Sequence, residues 1–141
     1  MAKKKILIVD DHAPTRTLVR TILESEKYEN FEIVEAATGT ECLKAMDKQG
    51  PFDLILLDVN LPDMDGYSVC RALRTVESKV PIVFVTAKGD MKDYAAGRAA
   101  GADSYLVKPI ARAALRSIVG LFTSVQRDAS KGKGEAELTE K

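Results

Sequence analysis

Five short apolar runs punctuate the chain: KILIVD at 5–10, FEIVEA at 31–36, DLILLD at 53–58, PIVFVTA at 81–87 and SYLVKP at 104–109. Their Val and Ile content predicts strands, and the unbroken runs predict strands buried on both faces. Between the runs, apolar residues recur at helical spacing. Leu18, Val19, Ile22 and Leu23 share one face, as do Cys42, Leu43 and Met46. Val69, Cys70, Leu73 and Val76 form a third stripe, and Met91, Tyr94, Ala95 and Ala99 a weaker, Ala-rich one. Leu115, Ile118, Val119, Phe122 and Val125 form the strongest.

Strict alternation of strand and helix predicts an α/β fold with right-handed crossovers, a parallel sheet and helices on both of its faces. Pro14 suits the first turn of the first helix, Gly50-Pro51 separates the second helix from the third strand, and Gly101 closes the fourth helix. From about Gln126 the pattern stops. RDASKGKGEAELTEK has almost nothing to bury, so the expectation is one domain over 1–125 and a flexible charged tail or linker over 126–141.

Composition narrows the classes. The 141 residues suffice for one real core, and 45% hydrophobic with 30% charged residues is ordinary for a soluble protein. Lys+Arg 21 against Asp+Glu 21 leaves no net charge, which argues against nucleic acid as a partner. The longest apolar run is far short of a membrane span and MAKKK lacks the apolar core of a secretory signal, so a cytoplasmic location away from membranes is expected. Cys42 and Cys70 match no metal or redox spacing and read as reduced core residues.

Strand ends carry the chemistry. Asp10 and Asp11 follow the first strand, Asp58 the third, Thr86 closes the fourth and Lys108 follows the fifth. In a parallel sheet these ends share one edge, where ligands of open α/β sheets bind. A lone aspartate there is more often a helix cap or turn former. Four positions arriving together favour function, because clustered carboxylates are tolerable when a cation sits among them. Oxygen ligands with a lysine beside them suggest Mg²⁺ and a phosphoryl group rather than zinc, and the one histidine is His12.

With those residues in place, the chain resembles the receiver domain of bacterial two-component response regulators, the chemotaxis regulator CheY among them. ILIVDDH, DLILLDVNLPDMDG, PIVFVTAK and AGADSYLVKP occur in the family's order, and the resemblance covers roughly residues 4–125. It implies a flavodoxin-like (βα)5 three-layer sandwich with strand order 2-1-3-4-5. It implies that Asp58 takes a phosphoryl group from a sensor histidine kinase or a histidine phosphotransfer protein. Asp10, Asp11, Asp58 and the backbone carbonyl of Asn60 would hold Mg²⁺. Lys108 would pair with the phosphoryl oxygens, the Thr86 hydroxyl would hydrogen-bond to one of them, and Ala87 is small as the family requires there. Tyr105 would be the aromatic switch residue, and Lys108-Pro109 a cis peptide. Pro62 and Gly66 would shape the loop behind Asp58.

The same resemblance implies a signalling switch rather than an enzyme, with at most self-phosphorylation and self-dephosphorylation. Its output would pass through the face of the fourth helix, fifth strand and fifth helix, to a protein partner or a second copy. His12 is expected exposed, Ile110 stands where many members carry phenylalanine, and Lys88 and Asn60 flank the expected path of hydrolytic water. The alternatives are a Mg²⁺-dependent phosphohydrolase of the haloacid dehalogenase type and a flavodoxin-like cofactor binder. The first wants its nucleophile on the first strand in a DxD arrangement, the second a Ser/Thr/Gly-rich loop where DDHAPTR stands.

Overall fold

In the computed structural model, which describes residues 3–25, 31–77, 79–87 and 91–131, each apolar run is a strand and each stripe a helix. The order is β1 (Lys4–Val9), α1 (Ala13–Glu24), β2 (Phe31–Ala36), α2 (Gly39–Gln49), β3 (Leu54–Leu57), α3 (Gly66–Val76), β4 (Ile82–Thr86), α4 (Met91–Ala100), β5 (Ser104–Val107) and α5 (Arg112–Lys131). The strands form one parallel sheet in the order β2-β1-β3-β4-β5. Chain direction across the sheet reverses at β1, so a crevice opens beyond the carboxyl ends of β1 and β3.

Successive side chains of a strand point to opposite faces, and two cores follow from that. Leu7, Val9, Ile55, Leu57, Ile82 and Phe84 pack with Cys42, Val69, Cys70, Leu73 and Ala100 from α2, α3 and α4. Ile6, Ile8, Leu54, Leu56, Val83 and Val85 pack with Val19, Ile22, Leu23, Leu115 and Val119 from α1 and α5. The result is the three-layer α/β sandwich. Cys42 and Cys70 are free and buried, and burial pushes the Cys42 thiol up to about 12. Among the described residues no helix is long and apolar enough to cross a membrane.

Local signals act as their chemistry dictates. Pro14 lies in the first turn of α1, and Gly101 follows α4 with φ 112°, where a side chain would be strained. Thr38 caps α2 by accepting from the Glu41 amide at 3.0 Å, and the Glu41 carboxylate accepts from the Ala37 amide at 2.7 Å.

Three helical faces differ from expectation. Among the described side chains of α4 the buried positions are Gly97 and Ala100, not Tyr94, Ala95 and Ala99, which are exposed; the side chain of Met91 lies outside the description. Small residues let α4 sit close against the sheet, where a Cβ on Gly97 would be 3.0 Å from the Phe84 ring and 3.2 Å from that of Tyr105. Leu18 and Val76 belong to apolar stripes, yet they are 44% and 71% exposed. Leu18 faces the turn between β5 and α5, and Val76 is the last residue of α3. Finally, α5 runs to Lys131, beyond the Gln126 boundary expected from the apolar pattern. Gln, Arg, Ala and Lys are good helix formers, which favours the helix beyond the last apolar position of the pattern. Residues 132–141 of the expected tail lie outside the described residues.

Candidate functional site

Register alone brings the acidic residues together. Val9 pairs with Leu57, so the next residues, Asp10 and Asp58, emerge side by side from adjacent strands. The Asp10 amide continues the ladder to Ala36 O at 3.0 Å, and the Asp58 amide donates to Val9 O at 2.9 Å. Both carboxylates are almost fully buried, 3% and 5% exposed. Asp11 is exposed at the rim, and one oxygen from each of Asp10, Asp11 and Asp58 lies within 4.8 Å of the others.

Lys108 closes the site from the far side. Thr86 pairs with Val107, and the Lys108 amide donates to Thr86 O at 2.7 Å, which anchors the lysine just beyond the end of β5. Its Nζ lies 2.8 Å from Asp10 Oδ2 and 3.2 Å from Asp58 Oδ2. The Lys108-Pro109 bond is cis, as is Gly50-Pro51. Thr86 is fully buried at the end of β4, and Ala87, next to it, is exposed. Ala87, Lys108, Pro109 and Ile110 line a groove of about 480 Å³ with His12, Thr15 and Leu18 of the α1 side. His12 is exposed at the N-cap of α1, its Nδ1 2.7 Å from Thr15 Oγ1. Lys88 lies outside the described residues.

The electrostatics follow from burial. Loss of solvent raises the Asp58 carboxyl above its ordinary value and the Asp10 charge raises it further, against the pull of the Asn60 amide and Lys108. Burial alone would lower the Lys108 ammonium, but the carboxylates of Asp10 and Asp58 outweigh it and hold the group raised. Among the described residues, one ammonium thus faces two buried carboxylates and a third at the rim. That donor set, all oxygen and short of positive charge, fits a hard divalent cation.

Loop 59–65 carries Asn60 and is held at both ends. The Asn60 amide donates to Asp58 Oδ1 at 3.2 Å, and the Gly66 amide to Val59 O at 2.6 Å. A Cβ on Gly66 would come within 2.3 Å of Asp58 O, so the loop can close this tightly only with glycine there. Pro62 lies exposed at the crown of the loop. Two contributors escape a reading of the sequence. Arg16 donates to the Asp10 carbonyl at 2.6 Å and to Glu35 at 2.9 Å. Asp63 accepts from the amides of Gly39 and Thr40 and from the Thr40 hydroxyl, and these bonds bring its carboxyl down to about 2. Glu35 lies 19 residues from Arg16, and Gly39 and Thr40 lie 24 and 23 from Asp63, too far to leave a local pattern.

Comparison with known proteins agrees with this geometry. The family model described as "Response regulator receiver domain" matches residues 6–120. The chain is 44% identical over 127 residues to the transcriptional regulatory protein ResD of Bacillus subtilis, covering 90% of this chain and 50% of that one. The chain spans about half the length of the curated relatives it matches. Among solved structures, a CheY-like response regulator receiver domain protein from Methanospirillum hungatei superposes with TM-score 0.79 at 31% identity, covering 90% of this chain and 98% of that one. The receiver domain of sensor histidine kinase PA1611 from Pseudomonas aeruginosa, which has a magnesium ion coordinated in its active-site cleft, gives TM-score 0.78 at 32% identity over 87% of this chain and 99% of that one. With the 2-1-3-4-5 sheet and the acidic crevice at its switch point, these matches lead to one conclusion: the chain belongs to the response regulator receiver domain family of two-component signalling.

Proposed function

We propose that Asp58 accepts a phosphoryl group from the phosphohistidine of a sensor histidine kinase or a histidine phosphotransfer protein. The observation that carries this reading is a buried Asp58 with Asp10 beside it and Lys108 Nζ 3.2 Å away. An ionised carboxylate needs no base to attack. An Asp58 oxygen forms the new O–P bond as the P–N bond breaks, and the electron pair of that bond stays on the donor's imidazole nitrogen. Lys108 then pairs with the phosphoryl oxygens, the Thr86 hydroxyl donates to one of them, and the small Ala87 leaves room for them. Asp10, Asp11, Asp58 and the Asn60 carbonyl hold Mg²⁺, whose charge, when bound, offsets repulsion among the carboxylates and the phosphoryl oxygens. The groove beside Lys108, with the exposed Leu18 on its wall, gives a partner protein an apolar surface next to the acceptor.

The chain then acts as a cytoplasmic switch, with no more catalysis than its own phosphorylation and dephosphorylation. Output passes through α4, β5 and α5, where Tyr105 is the aromatic switch and the exposed Tyr94 and Val107 offer apolar surface to a protein or a second copy. With no net charge, this domain is not itself the nucleic-acid reader, whatever acts in the rest of a longer protein. We assign residues 1–125 to this receiver and 126–141 to a charged tail or linker, the first residues of which continue α5. The hydrolase alternative is not favoured, since β1 ends in the adjacent pair Asp10-Asp11 and not in a DxD arrangement. Incubation with Mg²⁺ and labelled acetyl phosphate separates the two readings. Label that accumulates to one phosphoryl group per chain supports a receiver; turnover of the donor with no label accumulating on the chain supports a hydrolase and contradicts the proposal.

A further inference from the structure

The α2 helix begins with three amide donors that its own hydrogen-bond ladder cannot satisfy. Only the Glu41 amide goes to the local cap, Thr38. The other two, from Gly39 and Thr40, donate at 2.8 and 2.9 Å to the two oxygens of Asp63, which lies in the loop after β3. The Thr40 hydroxyl adds a third bond at 2.6 Å. A carboxylate at a helix N-terminus also meets the positive end of the helix dipole. Beside it, Met64 lies directly over Gly39, where a Cβ would stand 2.4 Å from Met64 Cγ. Two neighbouring residues of the loop are therefore pinned to the first turn of α2.

Asn60 stands three residues before Asp63, between that staple and the Asp58 carboxylate that receives its amide at 3.2 Å. We propose that Asp63 is a positioning residue: by tying the loop to α2 it fixes the Asn60 carbonyl for the cation held by Asp10, Asp11 and Asp58. The inference rests on the Mg²⁺ reading above. It adds that affinity for the ion is set partly by a side chain that never touches it, and that α2 is mechanically joined to the metal site. Residues that orient a ligand group commonly cost 10-fold or more in metal affinity when removed, so the effect is expected to be about tenfold.

The test is a Mg²⁺ titration of the whole chain followed by backbone amide shifts, beside a thermal melt, on four proteins. Asp63→Ala is expected to raise the Kd for Mg²⁺ about tenfold, and Asp63→Asn, which keeps one acceptor oxygen, to lie between it and the unaltered chain. Thr38→Ala removes the cap of the same helix without touching the loop, so it is expected to lower the melting temperature and leave the Kd unchanged. If Asp63→Ala loses amide dispersion, Asp63→Asn decides alone. An unchanged Kd in the Asp63 variants, or an equal rise in Thr38→Ala, overturns the positioning role and leaves the metal site standing. No Mg²⁺ binding by the unaltered chain overturns both.

Discussion

The Lys108 ammonium lies 3.2 Å from the Asp58 carboxylate across fifty residues of sequence, and the same nitrogen holds Asp10 at 2.8 Å. It is thus the counter-charge for two buried anions before it is anything else. Removing one partner of such a group strands the others. Lys108→Ala is expected to destabilise the metal-free protein by about 2 kcal/mol, below the usual cost for a fully buried pair because the lysine is 23% exposed. Millimolar Mg²⁺ should recover part of the loss. Urea denaturation with and without the ion checks it, and an unchanged midpoint would show that the carboxylates are relieved by solvent instead.

Asp58→Asn should do the opposite. Burial, then the charge of Asp10, raises the Asp58 carboxyl above its ordinary value. The folded protein therefore binds that proton at a higher pH than the unfolded chain, so the ionised group disfavours folding above its folded value and ceases to do so below its unfolded one. Without Mg²⁺, the variant is expected to be the more stable at neutral pH by about 1 kcal/mol, and its lead should shrink as pH falls through the raised value. Denaturation curves of both proteins along a pH series measure the difference; a lead that grows on acidification would contradict the sign.

Two glycines in helices separate packing from propensity. Alanine is favoured over glycine in a helix by roughly 1 kcal/mol. At Gly120 nothing lies within 4 Å of an added Cβ, so Gly120→Ala is expected to stabilise by about 0.5–1 kcal/mol. At Gly97 the added methyl meets Phe84 at 3.0 Å and Tyr105 at 3.2 Å, and Gly97→Ala is expected to destabilise by about 1–2 kcal/mol. Thermal melts of the pair decide whether α4 depends on that close approach. Two equal stabilisations would show that it does not.

Much of this was legible in the chain. FEIVEA is β2 to the residue, and the other runs miss strand ends by a residue or two, because apolar runs bounded by turns mark buried strands clearly. The placement of Asp10, Asp58, Thr86 and Lys108 on one edge followed from the alternation of elements alone. What escaped was set by tertiary contact. Small side chains hide the buried face of α4, since Gly97 and Ala100 carry no apolar signal above their neighbours. Leu18 reads as core by spacing, yet its side of α1 looks onto a groove. Asp63 and Arg74 look like ordinary surface charges, but their partners lie 23 and 27 residues away, Arg74 clamping the Gly101 carbonyl at 2.8 Å.

The ring of Tyr105 stands 5.6 Å from that of Tyr94 and 6.2 Å from that of Phe84, joining β5 to α4. On the phosphoacceptor reading a group added at Asp58 would give Thr86 and Lys108 a new partner, and Thr86 ends β4 and Lys108 follows β5, the strands that carry Phe84 and Tyr105. Beryllofluoride, standing in for the phosphoryl group, is expected to shift backbone amides through α4 and β5 well beyond the pocket. Shifts confined to the neighbours of Asp58 would contradict a switch at this face.

The central claim is that Asp58 is the phosphoacceptor, and intact-mass measurement of the chain after incubation with Mg²⁺ and acetyl phosphate tests it most directly. The unaltered protein should gain the mass of a single phosphoryl group, Lys108→Ala should gain it more slowly, and Asp58→Asn should gain none. Full labelling of Asp58→Asn would contradict the account.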